Sequence, residues 1–443
     1  MKLLLGKIVI VSLLLASMSA NAQTSGAVLS LDDCIEIALK NRASIIMARG
    51  TEDLAKASQR SALGAFLPQV SASYGYSKGK DTDIEPPTVI TDGSGNDVII
   101  DEQDTGPSKS LSVSAGISVF NLSNWFNLFS ARSSRRAAGL DVINSEQDLI
   151  YSVKLAYYAY LAAQENVNVQ ERAVTRSEEQ LKLIQSRYDL GSASLSDVLK
   201  QKVQFGNDRL ALLSARNAVV TTKASLAYTV GISPNTEPTF STEYSIGEYV
   251  GNLDDAISFG LANEPGLRAA DANVAAARKS INAGYASYLP SVSASYSFTK
   301  FNGTQAFPVV FDYSSISRTW GFRVSWNIFD GFSREQRVTS AKVNYNNARA
   351  GYADGRNLLV QEIKTAHFDA EQQTQAKGVA TENVEAANED LKITQEKYNL
   401  GAATILDLLD AQVSLKRAQV DLIQADFDLN LAVARLENAM GKM

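Results

Sequence analysis

The chain has 443 residues, of which 45% are hydrophobic and 20% are charged, and its formal net charge at pH 7 is −6. This length and composition suffice for a large folded protein and are not those of a disordered chain. The acidic balance argues against a nucleic-acid partner, and a single cysteine, Cys34, excludes a disulfide within the chain.

Residues 1–22 have the pattern of a secretory signal peptide. Lys2 and Lys7 flank an apolar run over residues 3–16, and an Ala-Asn-Ala site follows at residues 20–22. Because the run is too short to span a bilayer, we expect cleavage after this site rather than a membrane anchor. Cleavage would reduce the 42 basic residues to 40, against 48 acidic ones. An exported chain without a longer apolar run is periplasmic, secreted or an outer-membrane β-barrel.

The rest of the chain contains one domain-sized unit twice. The matching segments are residues 66–74 (FLPQVSASY) with 288–296 (YLPSVSASY), and residues 187–191 (RYDLG) with 397–401 (KYNLG). A spacing of about 210–222 residues is too long for a solenoid repeat. We therefore assign a first repeat unit to residues 23–240 and a second to residues 241–443. Each is predicted to run helix, strand, strand, helix, helix.

Each unit opens with a predicted helix that is followed by two strands. In the first unit the helix runs from about Leu31 to Phe66, and Pro68 ends it. Four stretches alternate apolar with small polar residues, which places the apolar side chains on one face of each strand. About ten residues suffice for a tilted strand to cross a bilayer. The predicted strands are residues ~69–77, ~111–120, ~291–299 and ~319–329.

The number of predicted strands bears on how the chain assembles. Four strands are few for a soluble sandwich, and the aromatic residues lie toward the strand ends, as they do in membrane strands. Four strands also cannot close a barrel, for which about eight are needed. Since open strand edges are not tolerated in lipid, we expect several chains to combine their strands; three chains would give twelve.

Two proline-free stretches predict very long helices that end in sharp turns. They run from about Leu122 to Leu190 and from about Gly331 to Leu400, and some 65 helical residues measure about 100 Å. Glycine after each helix supplies a left-handed turn, and capping-box pairs start the returning helices. The hairpin tips are predicted at residues 190–194 and 400–404, with Leu190, Gly191, Leu400 and Gly401 as a docking surface and Ser194 with Asp197 and Thr404 with Asp407 as caps.

Several motifs resemble those of the TolC-like outer-membrane efflux family, over essentially the whole mature chain. They are residues 398–412 (YNLGAATILDLLDAQ) with a weaker copy at 188–199, the Leu-Pro-x-Val strand entry, and residues 326–331 (WNIFDG). The resemblance implies a mixed α/β membrane protein that forms a homotrimer. Its strands would build a 12-stranded outer-membrane β-barrel, continued by a long α-helical coiled-coil barrel in the periplasm. No cofactor is implied.

The resemblance also implies a function and partners. The trimer would be the exit duct of a tripartite efflux or type I secretion system, passing substrates from the periplasm or an inner-membrane pump to the exterior. The implied partners are an inner-membrane pump or ABC transporter, a periplasmic adaptor that contacts the tips, and outer-membrane lipid. The alternative is a periplasmic coiled-coil adaptor or structural scaffold, which has no use for four membrane-length strands.

Four residues match the family's periplasmic constriction. Asp407 and Asp410 match paired aspartates that face the tunnel axis; spaced i, i+3 they share a helix face, and six carboxylates in a trimer would favour cations. The alternative for Asp407 is a capping role alone. Tyr398 and Asp197 match a hydrogen-bond network that holds the tips shut, or Tyr398 packs within its hairpin. The family's arginine of that network falls at Ala403, so a weaker or differently built latch is expected.

The sequence offers little for catalysis. His367 is the single histidine and is predicted to be a packing position in the middle of a helix. No second histidine and no further cysteine is present for a metal cluster or a cysteine dyad, and no phosphate-binding loop occurs. We therefore predict neither a catalytic residue nor a metal site.

Overall fold

The computed structural model describes residues 28–81, 88–91, 94–95, 97–100, 103–236, 238–242, 251–305 and 311–443. The predicted signal peptide lies outside these residues. None of the helices within them is long and apolar enough to cross a membrane.

The two halves of the chain carry the same order of main elements. Each half has two shorter helices, two long strands, one very long helix and one helix of intermediate length. In chain order the elements are β1 (Val28–Leu29), α1 (Leu31–Asn41), α2 (Ala43–Gly64), β2 (Gln69–Asp81), β3 (Thr88–Thr91), β4 (Asp97–Ile100), β5 (Gln103–Phe120), α3 (Leu122–Asp189), α4 (Leu195–Val230), β6 (Thr239–Phe240), α5 (Leu253–Asn263), α6 (Pro265–Ala286), β7 (Ser291–Gln305), β8 (Phe311–Ser325), α7 (Ser333–Asn399) and α8 (Ile405–Ala439).

Each half opens with two helices, so the prediction of a single helix over residues 31–66 is wrong. Arg42 interrupts the helix with an extended backbone (φ −72°, ψ 129°). Its guanidinium donates to the carbonyl oxygen of Tyr228 at 3.0 Å and lies 4.4 Å from the centre of that ring. In the second half the break falls at Glu264, because Pro265 disfavours helical backbone in the residue before it.

The four long strands form one antiparallel sheet in the order β2-β5-β7-β8. Small hydroxyl side chains share one face and meet across strands: the Oγ atoms of Ser71 and Ser114 are 2.8 Å apart, and those of Ser77 and Ser108 are 2.7 Å apart. Large apolar side chains such as Trp320 are exposed on the other face. The alternation predicted from the sequence is therefore present in the sheet.

The strands differ from the predicted ones at their ends. At the end of the sheet far from the long helices, β2, β5, β7 and β8 all extend beyond the strictly alternating residues. At the other end β8 stops at Ser325, so the predicted strand end at residue 329 is wrong. Trp326 leaves the ladder, and its Nε1 donates to the carbonyl oxygen of Tyr288 at 3.0 Å.

The long helices agree with the sequence prediction to within two residues at each end. α3 has 68 residues and α7 has 67, so each measures about 100 Å. Each turns into the next helix through a glycine with left-handed backbone, Gly191 (φ 77°) and Gly401 (φ 75°). The chain thus contains two antiparallel helical hairpins, α3–α4 and α7–α8.

The chain folds into two compact units, and each unit draws on both sequence repeats. Of the described residues, unit 1 takes in those up to Arg42 and those within Leu149–Tyr249 and Ala370–Ala434, and unit 2 takes in those within Ala43–Asp148, Val250–Asp369 and Arg435–Met443. The division at residue 240 therefore separates two repeats rather than two compact units, because α3 and α7 each contribute residues to both. Unit 1 contains the hairpin tips, and unit 2 contains the sheet.

Candidate functional site

The tips of the two hairpins pack on one small apolar cluster, which we call the tip core. Ile184 of α3, Val198 of α4, and Ile405 and Leu408 of α8 are buried in it, and Tyr398 of α7 packs against it. All four helices therefore contribute to the tip core. Burial of these side chains holds the two hairpins together at their ends.

Two aspartates predicted for the constriction are helix caps. Asp197 and Ser194 form a capping box: the Ser194 Oγ accepts from the Asp197 N–H at 3.1 Å, and the Asp197 carboxylate accepts from the Ser194 N–H at 3.2 Å. Asp407 makes the same exchange with Thr404, at 3.2 Å and 2.8 Å. The backbone N–H of Thr404, and then its hydroxyl, lower the pKa of the Asp407 carboxyl. The predicted capping role of both aspartates is confirmed.

Asp410 lies one turn after Asp407 on α8, and both carboxylates are exposed. No hydrogen bond or ion pair engages the Asp410 carboxylate within the described part of the chain. The spacing places the two side chains on one face of the helix. This face therefore carries two negative charges, of which only one has a capping role.

Arg187 connects the two tips and was not singled out from the sequence. Its Nη2 donates to the Asn399 Oδ1 at 3.2 Å, and its guanidinium carbon lies 5.3 Å from the centre of the Tyr398 ring. Partial burial raises the pKa of the Tyr398 hydroxyl, Arg187 opposes that rise, and Asp197 adds to it. A signal was available, because the residue before the motif tyrosine is basic in both repeats: Arg187 in the first and Lys397 in the second.

An open cleft of about 870 Å³ lies between the tips. It brings together Tyr398 and Asp197, which were predicted to belong to a latch, with Ala403. Asp407 and Asp410 do not line it. The lining residues are Arg187, Ser192, Ala193, Asp197, Lys200, Tyr398, Asn399, Leu400, Gly401, Ala403, Thr404, Ile405 and Leu406.

The two turns expose a leucine each in a fixed backbone setting. Leu190 and Leu400 are both 84% exposed. The glycine N–H groups that follow donate to the carbonyl oxygens of Tyr188 and Tyr398, at 2.9 Å and 3.1 Å. Glycine is suited to this left-handed position because it has no Cβ. Each tip therefore presents one apolar side chain on a hydrogen-bonded turn.

A buried polar layer joins helices of the two hairpins further from the turns than the tip core, and it was not predicted from the sequence. The Lys416 Nζ lies 2.8 Å from the Asp208 Oδ1, and the two side chains are 22% and 4% exposed. The Gln204 Nε2 donates to both oxygens of that carboxylate, at 3.1 Å and 3.2 Å. Gln201 is fully buried, and its Nε2 donates to the Ser177 carbonyl oxygen at 3.0 Å.

His367 is buried on α7, and its ring centre lies 5.5 Å from that of Phe368. This surrounding agrees with the packing position predicted from the sequence. In the ranges that the structure describes, no group of three or more His, Cys, Asp or Glu residues is placed to hold a metal ion.

The described residues combine a sheet of membrane-length strands, which carries hydroxyl side chains on one face, with two antiparallel helical hairpins. This combination is that of an outer-membrane protein with a helical extension. Residues 34–231 and 256–442 match the outer membrane efflux protein family, and the chain belongs to this family. It is an outer-membrane efflux protein with a periplasmic helical extension, as the sequence predicted. A periplasmic adaptor or scaffold is not favoured.

Relatives and solved structures extend the similarity over nearly the whole chain. The outer membrane efflux protein BepC of Brucella suis is 25% identical over 96% of this chain and 89% of its own length. TolC of Vibrio cholerae is 23% identical over 92% and 89%. The fold is similar to that of VceC from Vibrio cholerae (22% identity, TM-score 0.74, 93% and 96% covered) and of CmeC from Campylobacter jejuni (16%, 0.78, 93% and 85%).

Proposed function

We propose that three copies of this chain form the exit duct of a tripartite efflux or type I secretion system. The observation that carries the proposal is the four-stranded sheet, in which β2 and β8 each pair on one side only among the described residues. Open edges are not tolerated in lipid, and about eight strands are needed for closure. Three copies supply twelve strands in one barrel and gather the hairpins into one periplasmic tube. In this role the protein catalyses no reaction.

The native mass in mild detergent tests the assembly. We expect a protein mass near three times that of the mature chain, whose precursor is 47.8 kDa. The protein should also stay with outer membranes after a high-salt wash. A monomer, or a protein that salt releases without detergent, would contradict the proposal and leave the scaffold function in its place.

At the periplasmic end, the proposed gate consists of two sets of residues. Tyr398 and Asp197, with Arg187 in place of the arginine absent at Ala403, form the latch that keeps the tips closed. The contacts of Arg187 with Tyr398 and Asn399 support this role, because they join α3 to α7. Asp407 and Asp410 supply the carboxylates of the constriction, where concentrated negative charge favours cations.

The tips are the proposed docking surface for a periplasmic adaptor. Leu190 and Leu400, on the turns at Gly191 and Gly401, offer exposed apolar side chains at fixed positions. The remaining proposed partner is an inner-membrane pump or ABC transporter. The relative OpmQ of Pseudomonas putida is described as a pyoverdine export outer membrane protein, which supports a role in export.

A further inference from the structure

The connection from β8 to α7 differs from its counterpart in the first half. There, Asn121 alone separates β5 from α3, whereas residues 326–332 separate β8 from α7. We call residues 326–332 the junction loop. A loop of this length is not needed to join strand to helix, because the first half makes the same connection with one residue.

Hydrogen bonds and an ion pair hold the junction loop in place on one side. Arg334 is buried, its Nη2 donates to the carbonyl oxygen of Ile328 at 2.9 Å, and its guanidinium carbon lies 4.7 Å from the centre of the Tyr288 ring. The Asp330 Oδ2 lies 3.3 Å from the Arg334 Nε. Together with the bond from Trp326 to Tyr288, these contacts fix the loop at both ends.

The other side of the junction loop is apolar, and one of its residues has a strained backbone. Phe332 has φ 67° and is the only non-glycine residue with positive φ among those described, a backbone that a Cβ disfavours. Its ring packs edge-on against Phe329, with centres 5.5 Å apart. Trp326, Ile328, Phe329 and Phe332 all remain exposed. The chain thus holds four large apolar side chains in an arrangement that does not bury them.

This apolar surface continues the apolar face of β8, which is opposite the face with the hydroxyl side chains. Trp320, Phe322 and Val324 alternate along the strand and are exposed, and Trp326 is the next residue with the same period. Since the protein is in the outer membrane and the helices extend into the periplasm, the junction loop lies at the periplasmic end of the strands. Tryptophan and other amphipathic rings favour the boundary between headgroups and acyl chains.

Two basic side chains follow the loop on α7, one in contact with it and one further along the helix. Arg337 follows on the first turns of α7, is exposed, and its Nη2 lies 3.5 Å from the Asp330 Oδ2. Lys342 lies further along α7, with its Nζ 5.5 Å from the centre of the Tyr285 ring. Cations next to apolar rings match the chemistry of an anionic membrane surface.

We propose that the junction loop is a lipid anchor, inserted at the headgroup boundary of the periplasmic leaflet. Trp326, Ile328, Phe329 and Phe332 enter the acyl region, and the backbone strain at Phe332 serves to present its ring. The loop sets the depth and tilt at which β8 meets the bilayer. This inference rests on the outer-membrane location and does not require the trimer.

Depth-dependent quenching of tryptophan fluorescence tests the anchor. The chain has three tryptophans, so Trp125→Phe with Trp320→Phe leaves Trp326 as the only one. Reconstitution in vesicles of phosphatidylcholine and phosphatidylglycerol, brominated either near the headgroup or deep in the acyl chain, should quench Trp326 most with the shallow label. The matched control, Trp125→Phe with Trp326→Phe, retains Trp320. That residue lies about 20 Å along the strand and should respond most to the deep label.

Two results would overturn the anchor. Quenching of Trp320 without quenching of Trp326 would mean that water, a second copy or another protein covers the loop, and the emission maximum would tell water from protein. Absence of quenching at both positions would show that the sheet itself does not contact lipid.

A second variant removes the rings of Phe329 and Phe332 while it relieves the backbone strain at residue 332. In the protein that keeps only Trp326, Phe329→Ser with Phe332→Gly retains a residue suited to the left-handed backbone. We expect this variant to lose shallow quenching, and unchanged quenching would contradict the role of the rings. Native mass is measured on every preparation, so a failure of trimer formation is seen separately.

Discussion

Asp208 brings a negative charge into the helix packing of unit 1. Its side chain is 4% exposed, and Lys416 and Gln204 are its partners. A buried ion pair is often no more stabilising than apolar residues of the same volume, whereas removal of one partner leaves an uncompensated buried charge. The pair therefore makes stability depend on both residues together.

Removing the lysine alone should be costly. We expect Lys416→Met to lower the free energy of unfolding by about 3 kcal/mol, because Asp208 stays buried without a counter-charge. Adding Asp208→Leu should restore most of the loss. The measurement is the urea midpoint of the detergent-solubilised protein.

The matched control for this prediction is an exposed pair in the same unit. Arg216 lies 2.9 Å from Glu171, and the two side chains are 61% and 48% exposed. Arg216→Met should cost less than about 1 kcal/mol, because solvent screens such pairs. Equal losses at the two sites would show that the burial of Asp208 is not the cause.

Residues differ in how far the sequence alone could place them. Ser194 and Asp197 are three positions apart, and their capping exchange is local, so the spacing predicted it. Arg187 and Asn399 are 212 positions apart, and such a pairing depends on how the hairpins dock. No periodicity encodes that distance, so the sequence does not predict the contact of Arg187 with Asn399.

Among the elements, the hairpin turns depend on glycine backbone geometry. Gly401 has φ 75°, and a Cβ added there would meet no atom within 4 Å. We therefore expect Gly401→Ala to destabilise the protein by about 1 kcal/mol through backbone strain alone. The shift in thermal midpoint measures this.

A glycine inside α7 gives the opposite expectation. Gly378 is in the helix interior, lacks a left-handed backbone, and also leaves room for a Cβ. Gly378→Ala should stabilise by about 0.5–1 kcal/mol, since glycine is a poor helix former. A destabilising effect of similar size at both positions would mean that space, rather than backbone conformation, limits substitution.

The elements were predictable where the signal is periodic. Alternation gave the strands, and the absence of proline gave the long helices to within two residues. The break at Arg42 and the end of β8 at Ser325 were missed, because each depends on a contact with a carbonyl elsewhere in the fold: Tyr228 for the first and Tyr288 for the second.

For the whole molecule, the proposed gate predicts two separable changes in planar-bilayer recordings. Arg187→Ala should raise the conductance of the resting channel, because the link to Tyr398 and Asn399 is lost. Asp407→Asn with Asp410→Asn should reduce the preference for cations, read as a smaller reversal potential in a salt gradient.

Matched variants distinguish the gate from the docking surface. Arg209 lies over the Phe205 ring at 5.6 Å and lies outside the tip cleft, so Arg209→Ala should leave conductance unchanged. Leu190→Ser with Leu400→Ser should impair export in cells while native mass and conductance persist. An unchanged conductance in the Arg187→Ala variant would show that Arg187 is not part of the latch.

The duplication was readable from the sequence, but the division into compact units was not. An internal repeat is recognised from matching residues in the sequence, whereas a compact unit depends on which segments pack together in the fold. α3 and α7 each contribute to both units, so each unit is assembled from both halves.

The hydroxyl face of the sheet has a consequence for transit. Ser71 is paired with Ser114, and Ser112 with Thr299, so these groups already have partners. In a strand whose apolar side faces lipid, this face is turned away from the lipid. If three copies form the proposed barrel, this face lines its interior. A passing molecule would then replace hydrogen bonds to water with bonds to hydroxyls of similar strength and would gain little by binding there. Such a lining would bind cargo weakly. Residence times would be short, and the choice of cargo would fall to other parts of the system.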